Sequence, residues 1–131
     1  MPRIAKSSFV IDRKTPNPVS FEGGQMAHTR FEKTFTGDIT GTSIVEALMA
    51  GLADNGPAVY VGIERFDCRV EGRKGTFVLM HAATQHKSGG SASWTVVPGS
   101  GTGELTGMSG KGEILPNHDF ALTYDFSDDM D

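Results

Sequence analysis

Residues 98–105, with the sequence PGSGTGEL, constrain the backbone more than any other segment of this chain. Gly99, Gly101 and Gly103 occupy alternate positions directly after a strand-like run at residues 94–97. Glycine adopts positive φ angles and tolerates a close backbone without a steric penalty. We therefore predict a tight turn or bulge that redirects the chain. The alternative is an anion-holding nest of backbone N–H groups, although the Lys-Ser/Thr pair and helix of a phosphate-binding loop do not follow.

The composition predicts a single all-β domain. The chain has 131 residues, which is enough for one core, and its 17 glycines are about twice the usual share of roughly 7%. Many glycines spread among Val, Ile, Phe and Thr indicate short strands joined by tight turns. We predict one domain over residues 1–131, with an ordered core at about 8–126 and an acidic tail at 127–131.

Charge and hydropathy exclude several classes of partner. The net charge of −4 argues against nucleic acid, which needs a concentrated basic surface. No apolar run reaches the length of a membrane span, and the first residues lack the apolar core of a signal peptide. The single cysteine, Cys68, fits a reducing compartment. We expect a cytoplasmic protein with no nucleic-acid or membrane partner.

Alternation of apolar and polar residues locates most of the strands. Strands are predicted at residues 8–12, 26–35, 59–66, 76–81, 93–97 and 120–126, and within 102–114. Pro16 and Pro18 predict a loop over residues 13–25. Turns are predicted at residues 37–38, 55–56, 72–75 and 87–90.

Residues 43–53 give conflicting signals. Ser43 and Glu46 match a helix capping box, and the apolar residues that follow fit a helical stripe. Periodicity alone therefore favours an amphipathic helix for this segment.

Four blocks of the sequence resemble a known family. They are TFTGD at 34–38, VGIER at 61–65, GTFVLMH at 75–81 and WTVVPGSGTGEL at 94–105. Together they resemble a bacterial family of small proteins that is defined as a domain of unknown function, over roughly residues 8–126. The resemblance implies an eight-stranded antiparallel barrel similar to that of plant allene oxide cyclase and dirigent proteins. It also implies a strand at residues 43–53, which is our prediction there, and it assigns no reaction and no catalytic residue.

A hairpin between the strands at 59–66 and 76–81 predicts a candidate site. A turn at residues 73–74 pairs Phe66 with His81 and places Glu64 diagonally beside the histidine, within reach of its side chain. The next hairpin brings Trp94 diagonal to His81. Glu64, His81 and Trp94 then share one face of the sheet, an arrangement that a slip of one residue would destroy.

This cluster has a chemical meaning if its face is the interior. Glu64 would orient the His81 imidazole, which would carry protons because histidine titrates near neutrality. Trp94 would offer a flat apolar wall to a ligand. We assign catalytic roles to Glu64 and His81. The alternative is that Glu64 pairs with a surface cation and that His81 is a hydrogen-bonded core residue.

The remaining candidate site residues follow from neighbouring positions. Phe66, Ser100 and Glu104 are predicted to contact the ligand together with Trp94. Cys68 would face Leu79, diagonal to His81; a buried cysteine is usually an inert small hydrophobe, which is our expectation here. His81 and His86 lie five residues apart and so on opposite faces of a strand. We predict no metal site and no cofactor.

Two functions are compatible with the sequence. The first is a barrel that binds a small apolar or amphipathic molecule, with a possible isomerase or cyclase activity. The second is a non-enzymatic homo-oligomeric module with a side-chain-filled barrel. It is suggested by residues 44–52 and 76–83, which are apolar on both strand faces. A barrel needs only its inner faces to be apolar, so apolar outer faces indicate contact with another chain.

Overall fold

Eight antiparallel strands and one short 3₁₀ helix make up the computed structural model, which describes residues 2–52, 56–86 and 89–127. No helix in these ranges is long and apolar enough to cross a membrane. The strands are β1 (Arg3–Phe21), β2 (Gly24–Gly37), β3 (Ile39–Leu52), β4 (Ala58–Val70), β5 (Arg73–His86), β6 (Gly89–Val96), β7 (Met108–Ile114) and β8 (Phe120–Phe126), and the 3₁₀ helix is Gly103–Leu105.

The strands form a closed ring in sequence order. Each strand pairs antiparallel with the next, and β1 pairs with β8. The prediction of an all-β fold of eight antiparallel strands is therefore confirmed. The β1–β8 pairing covers Arg3–Ser7, and the β6–β7 pairing covers Trp94 and Thr95. The long strands β1 to β5 consequently extend beyond the closed part of the ring.

The core lies inside the ring. Along β4, alternate residues from Gly62 to Val70 are buried and those between them are exposed, as the period of two in a strand requires. Phe66 and Phe77 stack at the centre of the core with ring centroids 4.4 Å apart. The rings of Phe35 and Phe120 pack against Phe66 at 5.1 and 6.0 Å. The interior is filled by aromatic side chains in this layer.

The prediction of a loop over residues 13–25 is wrong. Residues 13–21 continue β1, and Gly24 and Gln25 begin β2. Pro16 and Pro18 pair with β2 in a part of β1 that lies beyond its pairing with β8. Proline lacks an N–H donor and is tolerated on such an edge, so the two prolines do not end the strand.

Residues 43–52 form a strand, as the family resemblance implied, and residue 53 lies outside the described ranges. In β3, Val45 and Ala47 face the core, while Ile44 and Leu48 lie on the outer face. Apolar residues on both faces of the strand produce the spacing that resembles a helical stripe. Hydrogen bonding to β2 on one side and β4 on the other decides the conformation.

The hairpin between β4 and β5 turns two residues earlier than predicted. Val70 pairs with Arg73, so the turn residues are Glu71 and Gly72, both with positive φ. Two-residue hairpin loops favour such angles because they match the twist of the strands. The predicted turn at 72–75 and the pairing of Phe66 with His81 are therefore wrong; Phe66 pairs with Phe77. Asn55 and the residues 87–88 of two other predicted turns lie outside the described ranges.

The glycine-rich segment redirects the chain along the first residues of β5. A Cβ atom on Gly101 would lie 1.9 Å from the Leu105 carbonyl oxygen, and one on Gly75 would lie 2.1 Å from that of Thr102. Gly99 and Gly103 have positive φ. These distances explain why glycine is needed at residues 75 and 101, and they fit the predicted tight turn.

Candidate functional site

Glu64, His81 and Trp94 lie together inside the ring. The Glu64 Oε1 atom is 2.8 Å from His81 Nε2, and both side chains are buried. This distance brings a carboxylate oxygen into direct contact with an imidazole nitrogen. The Trp94 ring stacks on the imidazole with centroids 4.6 Å apart and an angle of 14° between the planes.

The backbone explains how these side chains meet. His81 pairs directly with Gly62 on β4 and with Trp94 on β6. Gly62 has no side chain, and its neighbours on the same strand face are Tyr60 and Glu64. The imidazole therefore lies across β4 with a polar group on either side of it.

Two further polar residues hold the Glu64 carboxylate. The Ser43 hydroxyl donates a hydrogen bond of 2.5 Å to Oε2, and the Lys33 ammonium lies 3.4 Å from the same atom. Burial acts to raise the pKa of Glu64, but His81, Lys33 and Ser43 together outweigh it and lower the pKa below its ordinary value. Glu64 is thus a buried carboxylate that remains ionised.

Tyr60 completes the cluster on the side opposite Glu64. Its hydroxyl lies 3.5 Å from His81 Nδ1, and the two rings meet edge to face at 6.1 Å. Burial raises the pKa of Tyr60; the indole of Trp94 acts to lower it and the Glu64 charge to raise it. Tyr60 is therefore a neutral phenol at pH 7. The sequence reasoning missed this residue, although its position four residues before Glu64 places both on one strand face.

A cleft of about 850 Å³ lies at the projecting ends of the long strands, and Tyr60 is part of its wall. The wall also includes Met26 from β2, Met49 from β3 and Ala83 from β5. Polar atoms thus run inward from the cleft through the Tyr60 hydroxyl, the His81 ring and the Glu64 carboxylate.

The other predicted site residues lie elsewhere. Phe66 is fully buried in the aromatic core. The Ser100 hydroxyl accepts a hydrogen bond from the Val78 backbone N–H, and the Glu104 carboxylate accepts one from that of Lys74. The structure thus places Ser100 and Glu104 at the glycine-rich turn, where they hold it against β5.

Cys68 does not approach His81, because it pairs with Gly75 rather than with Leu79. The predicted cross-strand contact is therefore wrong. Burial, together with the nearby Asp67 charge, raises the pKa of the Cys68 thiol to about 12. A thiol in this state is a poor nucleophile.

Comparison with known proteins places the whole fold in one family. Residues 5–127 match the family described as "Protein of unknown function (DUF3224)". The chain belongs to the DUF3224 family. A crystal structure at 1.84 Å resolution of a DUF3224 protein with unknown function from Shewanella oneidensis MR-1 is similar to it, with a TM-score of 0.84 and 30% sequence identity over 98% of each chain. None of the curated proteins matches.

Within the described part of this DUF3224 protein, buried polar atoms mark the same region. The Trp94 Nε1 atom is buried and makes no hydrogen bond of standard geometry, but the indole interacts with the Tyr60 hydroxyl. The cluster therefore combines an ionised carboxylate, an imidazole, a neutral phenol and an indole donor next to a cleft.

Proposed function

We propose that this protein binds a small apolar or amphipathic molecule in the cleft beside Tyr60, and that the Glu64–His81 pair supports an isomerase- or cyclase-type proton transfer on it. The observation that carries the proposal is the continuous path of polar groups from the cleft through Tyr60 and His81 to the buried Glu64 carboxylate. An isomerisation removes a proton from one position of the substrate and returns it to another, so it needs no redox partner. The sequence resemblance implies a barrel similar to that of allene oxide cyclase but assigns no reaction, so the proposal rests on the cluster itself.

The energetic cost of the site favours a functional explanation. Removing a carboxylate and an imidazole from water costs several kcal/mol, and a packed apolar pair of the same volume is often as stable. Perturbed, buried ionisable groups beside a cleft are characteristic of catalytic sites. In this mechanism His81 carries the proton, Glu64 orients the imidazole, and Trp94 supports the imidazole by stacking on it.

Native mass spectrometry of the protein as purified from cells tests the proposal. We expect a small molecule bound at one equivalent, which denaturing conditions release for identification. With that molecule as substrate, the His81→Asn variant should lose turnover while keeping the fold, as judged by circular dichroism. Full activity in the variant would remove His81 from the mechanism, and a protein without any bound molecule would count against ligand binding.

A second candidate function rests on the outer surface. Leu48, Val61, Ile63 and Met80 point outward from β3, β4 and β5 and are between 48% and 55% exposed. Leu48 pairs with Val61 and Ile63 pairs with Met80, so the four side chains are adjacent. Exposed apolar patches of this kind mark interaction sites, and this one supports a non-enzymatic homo-oligomeric module.

The oligomeric state, measured by light scattering, tests this second candidate function. If the patch joins copies of the chain, the wild type should be an oligomer at micromolar concentration and Val61→Lys should be a monomer. Val10→Lys provides the control, because Val10 is similarly exposed on β1, away from the patch. A monomeric wild type would contradict this function.

A further inference from the structure

We propose that Tyr60 recognises a carbonyl or hydroxyl oxygen of the ligand, and that the ligand is uncharged. This inference rests on the proposed function and specifies which molecules the cleft accepts. It assigns to the Tyr60 hydroxyl a hydrogen bond to the ligand.

The position of Tyr60 is the first observation. It is half-buried, lies on the interior side of β4 and lines the cleft. His81, by contrast, is almost fully buried, and its ring nitrogens face Glu64 and Tyr60. A molecule in the cleft would therefore meet the phenol hydroxyl before it met the imidazole.

The contacts of the Tyr60 hydroxyl are the second observation. The Trp94 ring is fixed by stacking on His81, and its indole N–H, which is a donor only, interacts with the Tyr60 oxygen. The same hydroxyl lies 3.5 Å from His81 Nδ1, at the outer limit of a hydrogen bond. The phenol proton therefore remains available to an acceptor in the cleft. A carbonyl or hydroxyl oxygen of the ligand supplies one, and an aliphatic or ammonium group does not.

The cleft wall is the third observation. The described residues that line the cleft include no Asp, Glu, Lys, Arg or His, and their polar side chains are those of Gln25, Tyr60 and Gln85. An ionic ligand would lose its hydration there without gaining a countercharge, which is costly. The wall therefore favours a neutral, largely apolar molecule that has its oxygen at the end nearest Tyr60.

Three naphthalene probes of similar shape test the inference. The probes are 2-acetylnaphthalene, which is neutral and has one carbonyl oxygen, the hydrocarbon 2-ethylnaphthalene, and the anion 2-naphthoate. Affinities are measured by calorimetry and by the fluorescence of Trp94, the one tryptophan in the chain. We expect the ketone to bind most tightly and the anion most weakly.

Tyrosine variants separate the hydroxyl from the ring. Tyr60→Phe should weaken ketone binding about fivefold, the equivalent of one hydrogen bond of about 1 kcal/mol. Its affinity for the hydrocarbon should stay within about twofold of the wild-type value. Tyr124→Phe is the matched control, because Tyr124 is the other tyrosine of the chain and its hydroxyl donates to Glu71. Ala83→Phe, which places a ring in the cleft wall, should weaken both neutral probes.

The outcomes separate this inference from the proposed function. Equal ketone affinity in wild type and Tyr60→Phe, or tighter binding of the anion than of the ketone, overturns the inference. Failure of the ketone to bind the wild type also overturns it. The proposed function falls only if, in addition, native mass spectrometry of the purified protein shows no bound small molecule.

Discussion

Glu64 and His81 meet diagonally, across neighbouring strands, rather than as a cross-strand pair. Their closest atoms, Oε1 and Nε2, are 2.8 Å apart, although Glu64 pairs with Leu79 and His81 pairs with Gly62. Gly62 leaves the position opposite His81 without a side chain. The imidazole can therefore contact Glu64 through one nitrogen and approach Tyr60 through the other, which links the buried carboxylate to the cleft.

The lowered pKa of Glu64 predicts a specific loss of stability in acid. A carboxyl whose native pKa lies below its ordinary value of 4.5 stabilises the fold above that value, and this contribution is lost as the pH falls through the native pKa. The free energy of unfolding of the wild type, from urea titrations, should therefore decrease steeply below about pH 4.5. The free energy of unfolding of Glu64→Gln should decrease less steeply with acid. At pH 7 this variant should be less stable than the wild type by roughly 3 kcal/mol, because Lys33 lacks its partner.

Glu113→Gln provides the control for this titration, since Glu113 is an exposed carboxylate on β7. As the pH falls, the free energy of unfolding of this variant should decrease as steeply as that of the wild type. Parallel pH curves for the wild type and Glu64→Gln would show that Glu64 does not hold its charge in the native state.

The sequence predicted the cluster despite two errors of register. The pairing of β4 with β5 differs from the predicted one by four residues, and Glu64 stays diagonal to His81 in both registers because an even shift preserves the face of every side chain. Trp94 was expected diagonal to His81 and lies directly opposite it. The inward face was not predictable from β4 alone, because Val61 and Ile63 make its outer face as apolar as its inner one.

Other features depend on contacts distant in sequence. β1 can extend through Pro16 and Pro18 because this part of the strand pairs with β2 on one side and lies beyond its pairing with β8 on the other. The periodicity of the sequence does not show which edge of a strand is paired. Glu71 adopts a positive φ in a turn, where its N–H donates to Asp38 and its carboxylate accepts from Tyr124. These tertiary contacts shift the turn away from residues 73–74.

Gly62→Val should displace the His81 ring. The backbone at this position has no special conformation that excludes valine, but the added methyl groups would enter the space across from the imidazole. We expect the steep acid dependence attributed to Glu64 to become shallower, because Glu64 loses its contact with His81, one of the groups that lower its pKa. Gly51→Val is the control, since a Cβ at Gly51 meets nothing within 4 Å. An unchanged Glu64–His81 contact in a crystal structure of Gly62→Val would contradict this role for the glycine.

Cys68 should resist alkylation in the folded protein. Its thiol is buried, and its pKa of about 12 leaves almost no thiolate, the reactive form, at pH 8. Iodoacetamide should modify the protein slowly in buffer and rapidly in urea, as followed by intact-mass spectrometry. Equal rates in the two conditions would mean that the thiol is accessible in the native state.

Gly101→Ala should destabilise the fold through the close approach of two backbone segments. The new Cβ would lie 1.9 Å from the Leu105 carbonyl oxygen, a contact that only a backbone shift can relieve. We expect a loss of about 1–3 kcal/mol in the free energy of unfolding, together with weaker protection of the Val78 amide in hydrogen exchange, because Ser100 holds that amide. Gly51→Ala should change stability by less than about 1 kcal/mol. Equal stability of the two variants would show that the glycine-rich segment shifts without cost, and that the close approach at Gly101 does not constrain this turn.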